Sequence, residues 1–323
     1  MLDLLSDILT KLSVQGTLYF RTSFTMPWGV AVPSYENVAR FHFAHRGNCM
    51  VSVDGVEKPI QLAQGDLIII PHGAAHDLYC GHNPEQTVLP LDTVLQKSGY
   101  QGSGVLVYGG EDDDSETQLI CGHFSFDKHA RHILMERMPP FIHIKNYGEV
   151  SGRWLEATLR VIGDEAGGRR IGGDLIALKM SEAILVQAIR AFIESDVSSK
   201  WGLHGFSDAH LCKALDAFHK KPNASWKVET MAQCAGMSRT NFAVQFQKKM
   251  ALSPMQYVSS WRMEIAKKCL ADPSNSLSDT AESAGYASDS AFSRVFKKEI
   301  GLTPANYRKQ VLTSSVQISE LSA

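Results

Sequence analysis

The pattern of hydrophobic and polar positions changes twice along this chain of 323 residues. Met1 to Leu12 has the spacing of a short amphipathic helix. From Thr17 to about Ile144, short apolar stretches alternate with Gly, Pro and Asn, which is typical of β-structure. From Ser151 onward the apolar positions recur at helical intervals. The pattern therefore predicts a β-rich N-terminal part followed by a helical C-terminal part.

The β-rich part contains candidate strands separated by turn residues, and closely spaced strands of this kind favour a double-sheet barrel over βαβ units. Asp54-Gly55 is a strong hairpin signal. Segment 81–110 has few strand signals and is predicted to be an insertion that closes over the barrel mouth. The acidic run 111–116 is predicted to be a solvated loop. The candidate strands are Thr17–Phe24, Gly29–Val32, Arg40–Ala44, Cys49–Val53, Leu67–Ile70, Ala75–Tyr79 and Gln118–Phe124.

Two helices are predicted between the barrel and the C-terminal part. The first carries an apolar stripe from Trp154 to Ile162, and the second runs from about Asp174 to Glu194. The second helix has a broad apolar face, which predicts a homodimer interface, with packing on the barrel of the same chain as the alternative. That face consists of Leu175, Leu178, Ile184, Leu185, Ala188, Ile189 and Phe192.

The C-terminal part contains the same helix-turn-helix pattern twice between Val228 and Arg308. In each copy a small Ala ends a helix, a Gly makes the turn, a Ser caps the next helix, and two Phe at i and i+4 mark its buried stripe. The spacing from the first Phe to a later Tyr is identical, 242 to 257 and 292 to 307. Two copies joined by a helical connector favour DNA reading over a bundle used for protein contacts.

The exposed stripes of the two second helices are therefore predicted to read DNA. Arg294 is the best candidate for a base contact, since Arg pairs bidentately with guanine. Arg239 is predicted to contact a base or a phosphate. Lys248, Lys249, Lys297 and Lys298 are predicted phosphate contacts. The stripes consist of Arg239, Thr240, Ala243, Val244 and Gln247 in the first copy, and of Asp289, Ser290, Ser293, Arg294 and Lys297 in the second.

Four motifs in this region closely resemble the DNA-binding domain of AraC-type transcription regulators. They are Trp261-Arg262-Met263, Gly285-Tyr286-Ala287-Ser288, Phe292-Ser293-Arg294-Val295-Phe296-Lys297 and Gly301-Leu302-Thr303-Pro304. The resemblance covers about a hundred residues and implies a double-stranded DNA operator, a homodimer and RNA polymerase as partners. Ala243 and Val244 depart from it, because many relatives have long polar side chains there. The first helix is therefore expected to discriminate bases weakly or through methyl contacts.

A second resemblance lies in the β-rich part. Gly65-x5-Pro71-x-Gly73-x2-His76 resembles the second signature motif of the cupin barrel, with Cys80 at the position of its usual Asn. The first cupin motif is degenerate, since its HxH pair maps onto His42 and Ala44. Cys121-Gly122-His123-Phe124, followed by Pro139-Pro140-Phe141-Ile142-His143-Ile144, resembles the AraC subgroup with a cupin-type sensor domain.

The predicted effector pocket contains His42, His76, Cys80, Cys121 and His123, and its chemistry stays open at this point. His42, His76 and Cys121 could bind a metal such as zinc. Alternatively, Cys121 or Cys80 is a redox-sensitive thiol activated by a histidine. In a third interpretation these side chains line a cavity for an organic effector, or are ordinary core residues.

Charge is distributed unevenly along the chain, although the net charge is only −2. From Lys200 onward there are 16 basic and 10 acidic residues, whereas the preceding part has 16 basic and 24 acidic residues. A basic module on an acidic body suits phosphate contact at one end of the molecule. The six cysteines show no disulfide spacing, and no signal peptide or membrane span is visible. A cytoplasmic location is therefore expected.

The predicted fold class is α+β with several domains: a cupin-like barrel (1–150), a helical linker and probable dimerisation segment (151–205), an all-α double helix-turn-helix domain (206–312) and a loose tail (313–323). The predicted function is sequence-specific transcription regulation, with the barrel sensing a small molecule, metal or redox signal. One alternative is a cupin-type metalloenzyme with a helical accessory domain, although the incomplete first motif argues against it. The other is a co-regulator that contacts only protein.

Overall fold

The structure is a computed structural model. It describes residues 3–12, 14–81, 88–102, 104–110, 112–126, 132–145, 157–158, 161, 165 and 171–321. The chain forms two compact units. The barrel unit comprises residues 14–126 and 138–192, and the helical unit comprises residues 1–13, 127–137 and 193–323. None of the described helices combines the length and apolar character needed to cross a membrane.

The barrel unit consists of two β-sheets. The six-stranded sheet has the order β11-β6-β3-β10-β1-β9, and the five-stranded sheet has the order β5-β4-β7-β2-β8. Most pairs are antiparallel, but β9 runs parallel to β1 and β8 parallel to β2. The strands are β1 (Gln15–Met26), β2 (Gly29–Val32), β3 (Val38–Arg46), β4 (Cys49–Val53), β5 (Ile60–Leu62), β6 (Leu67–Ile70), β7 (His76–Tyr79), β8 (Leu89–Pro90), β9 (Val105–Gly109), β10 (Asp112–Ser125) and β11 (Ile142–Ile144).

Apolar side chains from both sheets form the core of the barrel unit. Trp28, Val51, Leu62, Ile68 and Leu119 are completely or almost completely buried in one cluster. Alternation along β4 places Cys49, Val51 and Val53 inward, as a half-buried strand requires. The predicted double-sheet, cupin-like architecture is confirmed.

Three features of the barrel unit differ from the sequence-based expectation. Segment 81–110 contains a helix, α2 (Leu91–Ser98), and the edge strand β9, where an insertion with few strands was predicted. The acidic run is not a loop, because β10 begins at Asp112 and pairs there with Met26 of β1. The short strands β5 and β8 were not predicted, whereas β11 lies in segment 139–144, which was expected to close the barrel.

The helical unit contains the two predicted helix-turn-helix motifs. Gly236 (φ +66°) and Gly285 (φ +75°) make the turns in a left-handed conformation that glycine adopts without steric cost. Ser238 and Ser288 cap the following helices by accepting from the backbone N–H groups of Asn241 and Ala291. The helices are α5 (Ala209–Lys220), α6 (Val228–Cys234), α7 (Arg239–Met250), α8 (Pro254–Ala271), α9 (Leu277–Ser283), α10 (Asp289–Ile300) and α11 (Pro304–Leu321).

The phenylalanines of the repeat form the cores of the two motifs. Phe242, Phe246, Phe292 and Phe296 are fully buried. The connector α8 contributes to both motifs: Tyr257 stacks edge-on against Phe246, and the C-terminal half of α8 packs with Phe292 and Phe296. The sequence predicted a loose tail from residue 313, but α11 continues to Leu321.

Two segments that flank the barrel strands belong to the helical unit. They are α1 (Leu4–Lys11), which packs against α5, and the segment that carries the short helix α3 (Ile133–Glu136). Ile8 and Leu12 are buried in this unit. The compact units therefore do not follow the predicted boundary at residue 150, because these segments have their apolar contacts with the C-terminal helices.

A buried hydrogen-bonded chain, the Tyr257 network, joins these segments to the C-terminal helices. The Leu134 N–H donates to Nδ1 of His132 (3.1 Å), so the proton of this ring lies on Nε2, which donates to the Tyr257 hydroxyl (3.1 Å). That hydroxyl donates in turn to Nε2 of His219 (2.7 Å). The remaining His219 nitrogen lies 3.4 Å from the Asp7 carboxylate, which also binds Lys11 at 2.7 Å.

The helix α4 (Gly173–Glu194) buries most of its broad apolar face within the single chain. Ile184, Leu185, Ala188 and Ile189 are almost inaccessible to solvent, as the intramolecular alternative predicted. The first turns of α4 expose two large apolar side chains, Leu175 (60% accessible) and Ile176 (45% accessible). Most of the helix predicted from Trp154 to Ile162 lies outside the described residues.

Candidate functional site

A small cavity inside the barrel unit is the first candidate site. Its volume is about 30 Å³, which is enough for about two water molecules. Its polar lining comprises Thr22, Arg40, His42 and Cys121, and its apolar lining comprises Phe24, Val30, Val32, Leu78, Leu91 and Leu106. Leu91 is the first residue of α2 and Leu106 lies on β9, so the segment predicted to close over the barrel mouth contributes to the cavity wall.

Three of the predicted pocket residues form a hydrogen-bonded chain beside this cavity. The two nitrogens of His42 have different partners: Nδ1 lies 3.1 Å from Sγ of Cys121, and Nε2 lies 2.7 Å from Nε2 of His76. Nδ1 of His76 lies 2.8 Å from the carbonyl oxygen of Ala74, which can only accept. Because the Ala74 carbonyl at this end of the chain can only accept, it determines the tautomer of each histidine. His76 donates to Ala74, His42 donates to His76, and the Cys121 thiol donates to His42.

Burial keeps all three groups uncharged. Burial, the neighbouring His76 and the Arg40 guanidinium hold the pKa of His42 well below its ordinary value. Burial lowers the pKa of His76 to about 4, although its hydrogen bond with Ala74 acts in the opposite direction. Burial raises the pKa of the Cys121 thiol far above its ordinary value. The thiol is therefore neutral here, and Nδ1 of His42 accepts a hydrogen bond from it without removing its proton.

The local sequence explains how these side chains come together. His42 on β3 is directly opposite Cys121 on β10, so their side chains lie on the same face of the sheet. His76 follows a turn in which Gly73 has φ +62° and accepts from the N–H of Tyr35. A Cβ at Gly73 would lie 2.2 Å from the Tyr35 carbonyl oxygen, so only glycine fits at this point of the motif.

The same geometry does not suit a metal ion. An imidazole binds one ion through one nitrogen, whereas Cys121 and His76 lie on opposite nitrogens of the His42 ring. Among the residues that the structure describes, no group of three His, Cys, Asp or Glu side chains could hold a metal. The tentative zinc ligands His42, His76 and Cys121 therefore form a hydrogen-bonded chain in this conformation.

The other two predicted pocket residues do not belong to this chain. The Cys80 thiol donates to the carbonyl of Trp28 and accepts from its N–H, at 3.2 and 3.1 Å. His123 lies opposite Arg40 in the strand pairing and is half-buried outside the cavity lining. All six cysteines are free thiols.

Arg40 is a cavity residue that the sequence-based prediction missed. It is 5% accessible, and its guanidinium lies 4.4 Å from the centre of the Tyr35 ring. Strand alternation could have identified it, because Arg40 is two residues before His42 and faces the same side of β3. Buried arginine is rare and normally has a partner or a ligand.

The exposed faces of α7 and α10 form the second candidate site. Asp289, Ser290, Arg294 and Lys297 on α10 are exposed, whereas Ser293 is half-buried. On α7, Arg239, Thr240, Val244 and Gln247 are exposed, and Ala243 is half-buried.

Two basic residues predicted to contact DNA are paired within the helical unit. Arg239 forms an exposed ion pair with Glu229 of α6. Exposed pairs contribute little to stability, so a phosphate or base could displace Glu229. Lys249 binds Asp208, the cap of α5, and is only partly exposed. Lys249 therefore has an acidic partner in the chain, and its predicted phosphate contact stays a prediction.

The two parts of the chain match two families. A family model described as "Cupin" matches residues 3–194, and one described as "Helix-turn-helix domain" matches residues 231–310. One similar solved structure is the DNA-binding domain of AdpA in complex with a target DNA. Its sequence is 25% identical to the matched part of this chain, and the match covers 34% of this chain and 99% of the AdpA domain, with a TM-score of 0.33.

Relatives match along almost the whole length. An AraC-like transcription regulator of Streptomyces lividans is 30% identical over 310 residues, which are 95% of this chain and 98% of that protein. One of Streptomyces antibioticus is 30% identical over 317 residues, with 95% and 99% covered. These relatives are regulators, which supports the predicted regulator over the metalloenzyme. The chain therefore belongs to the AraC family of DNA-binding transcription regulators and has a cupin-type N-terminal domain.

Proposed function

We propose that the barrel unit is a sensor and that the cavity beside His42 and Cys121 is where the signal is received. The observation that carries this proposal is the ordered chain Cys121–His42–His76, whose first two members line the cavity. A ligand that binds Cys121 or His42 must break at least one of these hydrogen bonds. Such a change would shift the barrel between two conformations, as a sensing domain requires.

The cavity favours a small or uncharged signal. Its present volume holds about two water molecules, and most of its wall is apolar. A larger organic effector would need Leu91 and Leu106 to move. A small oxidant needs no such movement. The redox form of the proposal is oxidation of Cys121 by hydrogen peroxide, which gives a sulfenic acid and water. Because the thiol is neutral in this conformation, this reaction requires His42 to take the thiol proton as the sulfur attacks the peroxide.

The DNA-reading roles are assigned as follows. Arg294 reads guanine, and Arg239 contacts a base or phosphate after it leaves Glu229. Lys248, Lys297 and Lys298 contact phosphates and thereby set the register. Thr240, Gln247, Asp289, Ser290 and Ser293 complete the two surfaces, which enter the major groove about one helical turn, ~34 Å, apart.

The proposal also includes the oligomeric state of the regulator and its location in the cell. The exposed apolar side chains of Leu175 and Ile176 at the start of α4 support a homodimer formed there. The bound dimer would act on RNA polymerase in the cytoplasm and thereby activate or repress transcription.

The sensor proposal is tested by measuring the DNA affinity of the full-length protein with and without mild peroxide. The DNA is obtained by selection from a random library. In the redox form we expect a change in affinity that dithiothreitol reverses and that Cys121→Ser abolishes. Cys269→Ser is the matched control, because Cys269 is a half-buried thiol of α8 outside the barrel unit.

Without a peroxide response, the same variants are used with compounds that raise the melting temperature of the wild type. A compound that alters DNA affinity in the wild type but not in Cys121→Ser or His42→Gln would support an organic effector at this cavity. A peroxide or compound response that persists unchanged in both variants would contradict the sensing role of the cavity.

A further inference from the structure

The helices α7 and α10 are the second helices of the two helix-turn-helix motifs and are called the recognition helices here. They carry different types of side chain at one position that is equivalent in the two copies. The repeat has an offset of 50 residues between Phe242 and Phe292, so Val244 corresponds to Arg294. Both residues lie two positions after a fully buried phenylalanine, and both are exposed. The same site on the two helices therefore presents an apolar side chain in one case and a guanidinium in the other.

Val244 is an exposed apolar residue on a polar face of α7. Its side chain is 57% accessible, and its neighbours on the same face, Thr240 and Gln247, are polar. A single exposed valine is ordinary on a protein surface. Val244 is distinguished by its position, because it lies on the exposed face proposed to read DNA and corresponds to Arg294 of the second helix.

We infer that Val244 reads the 5-methyl group of a thymine in the major groove. This inference rests on the proposed reading of DNA by α7 and α10. Thymine is the base that presents an apolar group in the major groove, and contact with that methyl group discriminates it from the other bases. A β-branched side chain in a helix is held mainly in one rotamer, so the two Val244 methyl groups are already ordered before binding.

The neighbouring residues fit this role. Ala243 is half-buried and too short to compete with Val244 for a base edge. Thr240, one turn before Val244, can donate to or accept from the adjacent base. The first helix therefore selects a thymine by van der Waals contact, while the second selects a guanine through the hydrogen bonds of Arg294.

The test uses full-length protein and the DNA that it selects from a random library. Each thymine of that DNA is replaced in turn by deoxyuridine, which removes only the methyl group. Among the bases contacted by α7, we expect one such replacement to weaken binding by about fourfold. This factor corresponds to the loss of about 0.8 kcal/mol for one buried methyl-sized group. Each selected guanine is replaced separately by 7-deazaguanine, which removes the N7 acceptor.

Two variants at the equivalent positions provide reciprocal controls. In Val244→Ala the effect of the deoxyuridine should disappear, whereas the effect of 7-deazaguanine should remain. In Arg294→Ala the guanine effect should disappear with a loss of about 10- to 100-fold in affinity, and the deoxyuridine effect should remain. Alanine is tolerated at exposed helix positions, and circular dichroism checks that both variants are folded.

Three outcomes would overturn the inference. One is that no deoxyuridine replacement weakens wild-type binding. Another is that Val244→Ala keeps the full deoxyuridine effect. The third is that Val244→Ala leaves DNA binding unchanged but abolishes binding of a protein partner. If the wild type selects no sequence at all, the proposed reading of DNA itself fails, and this result is distinct from the other three.

Discussion

His42 has a different neighbour on each ring nitrogen, so its single proton determines the direction of the whole buried chain. Because Ala74 can only accept, the protons of His76, His42 and Cys121 all point the same way. An added proton on His42 would lie on Nδ1, where it would face the proton of the Cys121 thiol. The chain is therefore compatible with one protonation state.

The free energy of unfolding should fall as the pH is lowered through the range between the unfolded and folded pKa values of His76. His76 has a pKa of about 4 in the folded chain against an ordinary value of 6.5. Above pH 6.5 both states are neutral. Between pH 6.5 and about 4 only the unfolded chain gains the proton, so the free energy of unfolding should fall as pH falls, by up to about 3 kcal/mol. Urea unfolding at stepped pH measures this dependence.

His76→Gln should make this pH dependence shallower without abolishing it. Burial also lowers the pKa of His42, His132 and His219, and these residues act in the same direction. If the variant is too unstable to purify, the Hε1 resonance of His76 in the wild type gives the answer. A resonance that titrates near pH 6.5 would contradict the expected shift.

The resemblance to the cupin motifs identified part of the site at the scale of residues. His42, His76 and Cys121 were predicted together and do form one chain. Their use of opposite ring nitrogens could not be predicted, because it depends on the separation of two strands and on the turn at Gly73. The same strands place Cys80 against Trp28, at a distance from the chain that sequence spacing does not reveal.

At the scale of elements, the two helix-turn-helix copies differ where their recognition helices end. Gly301 follows α10 with φ +83°, and Ala251 follows α7 with φ +53°. Both N–H groups donate to the carbonyl four residues earlier. The left-handed conformation is easy for glycine and costly for alanine. The first copy therefore has local strain that the second lacks.

Ala251→Gly should stabilise the helical unit by about 0.5–1 kcal/mol, since it removes this strain at an exposed position. Gly301→Ala is the reciprocal change and should destabilise by a similar amount. Differential scanning calorimetry of the full-length variants compares the two. A lower melting temperature for Ala251→Gly would mean that the methyl contacts of Ala251 outweigh the strain.

The elements that the sequence pattern missed depend on pairing with distant strands. The acidic residues from Asp112 do not read as a strand, yet β10 extends through them because β1 is long enough to pair with it. Similarly, β9 is an edge strand held by β1, about 84 residues away in sequence. The helices α6 to α11 were predictable because their caps, turns and apolar stripes are local.

At the scale of the whole molecule, three separate stretches of sequence make the helical unit. The Tyr257 network joins them through Asp7, His132 and His219. Burial raises the pKa of Asp7, but its contacts with His219 and Lys11 outweigh this effect, so the pKa lies below the ordinary value and the carboxylate is charged. A fragment that starts at Ser207 would lack α1 and α3, and with them Asp7 and His132 of the Tyr257 network.

Tyr257→Phe should lower the free energy of unfolding by about 1–3 kcal/mol, because it leaves His132 and His219 without their shared partner. Combined with Asp7→Asn, the losses should be non-additive by more than about 0.5 kcal/mol, since both residues act through His219. Tyr307→Phe is the matched control in the second copy, where the side chain is only half-buried. Urea unfolding of the full-length chain gives the values.

Strictly additive losses for Asp7→Asn and Tyr257→Phe would show that α1 is attached independently of the network. A loss in Tyr307→Phe as large as that in Tyr257→Phe would show that the effect of removing a tyrosine hydroxyl is not specific to the Tyr257 network.

Under the inference above, Val244 and Arg294 make the site of one protomer asymmetric, because α7 selects a thymine and α10 selects a guanine. The order of these two bases would therefore set the orientation of a single protomer on the duplex. Inverting the site would reverse the order of α7 and α10 relative to the neighbouring gene, with no change in affinity and a different effect on that gene.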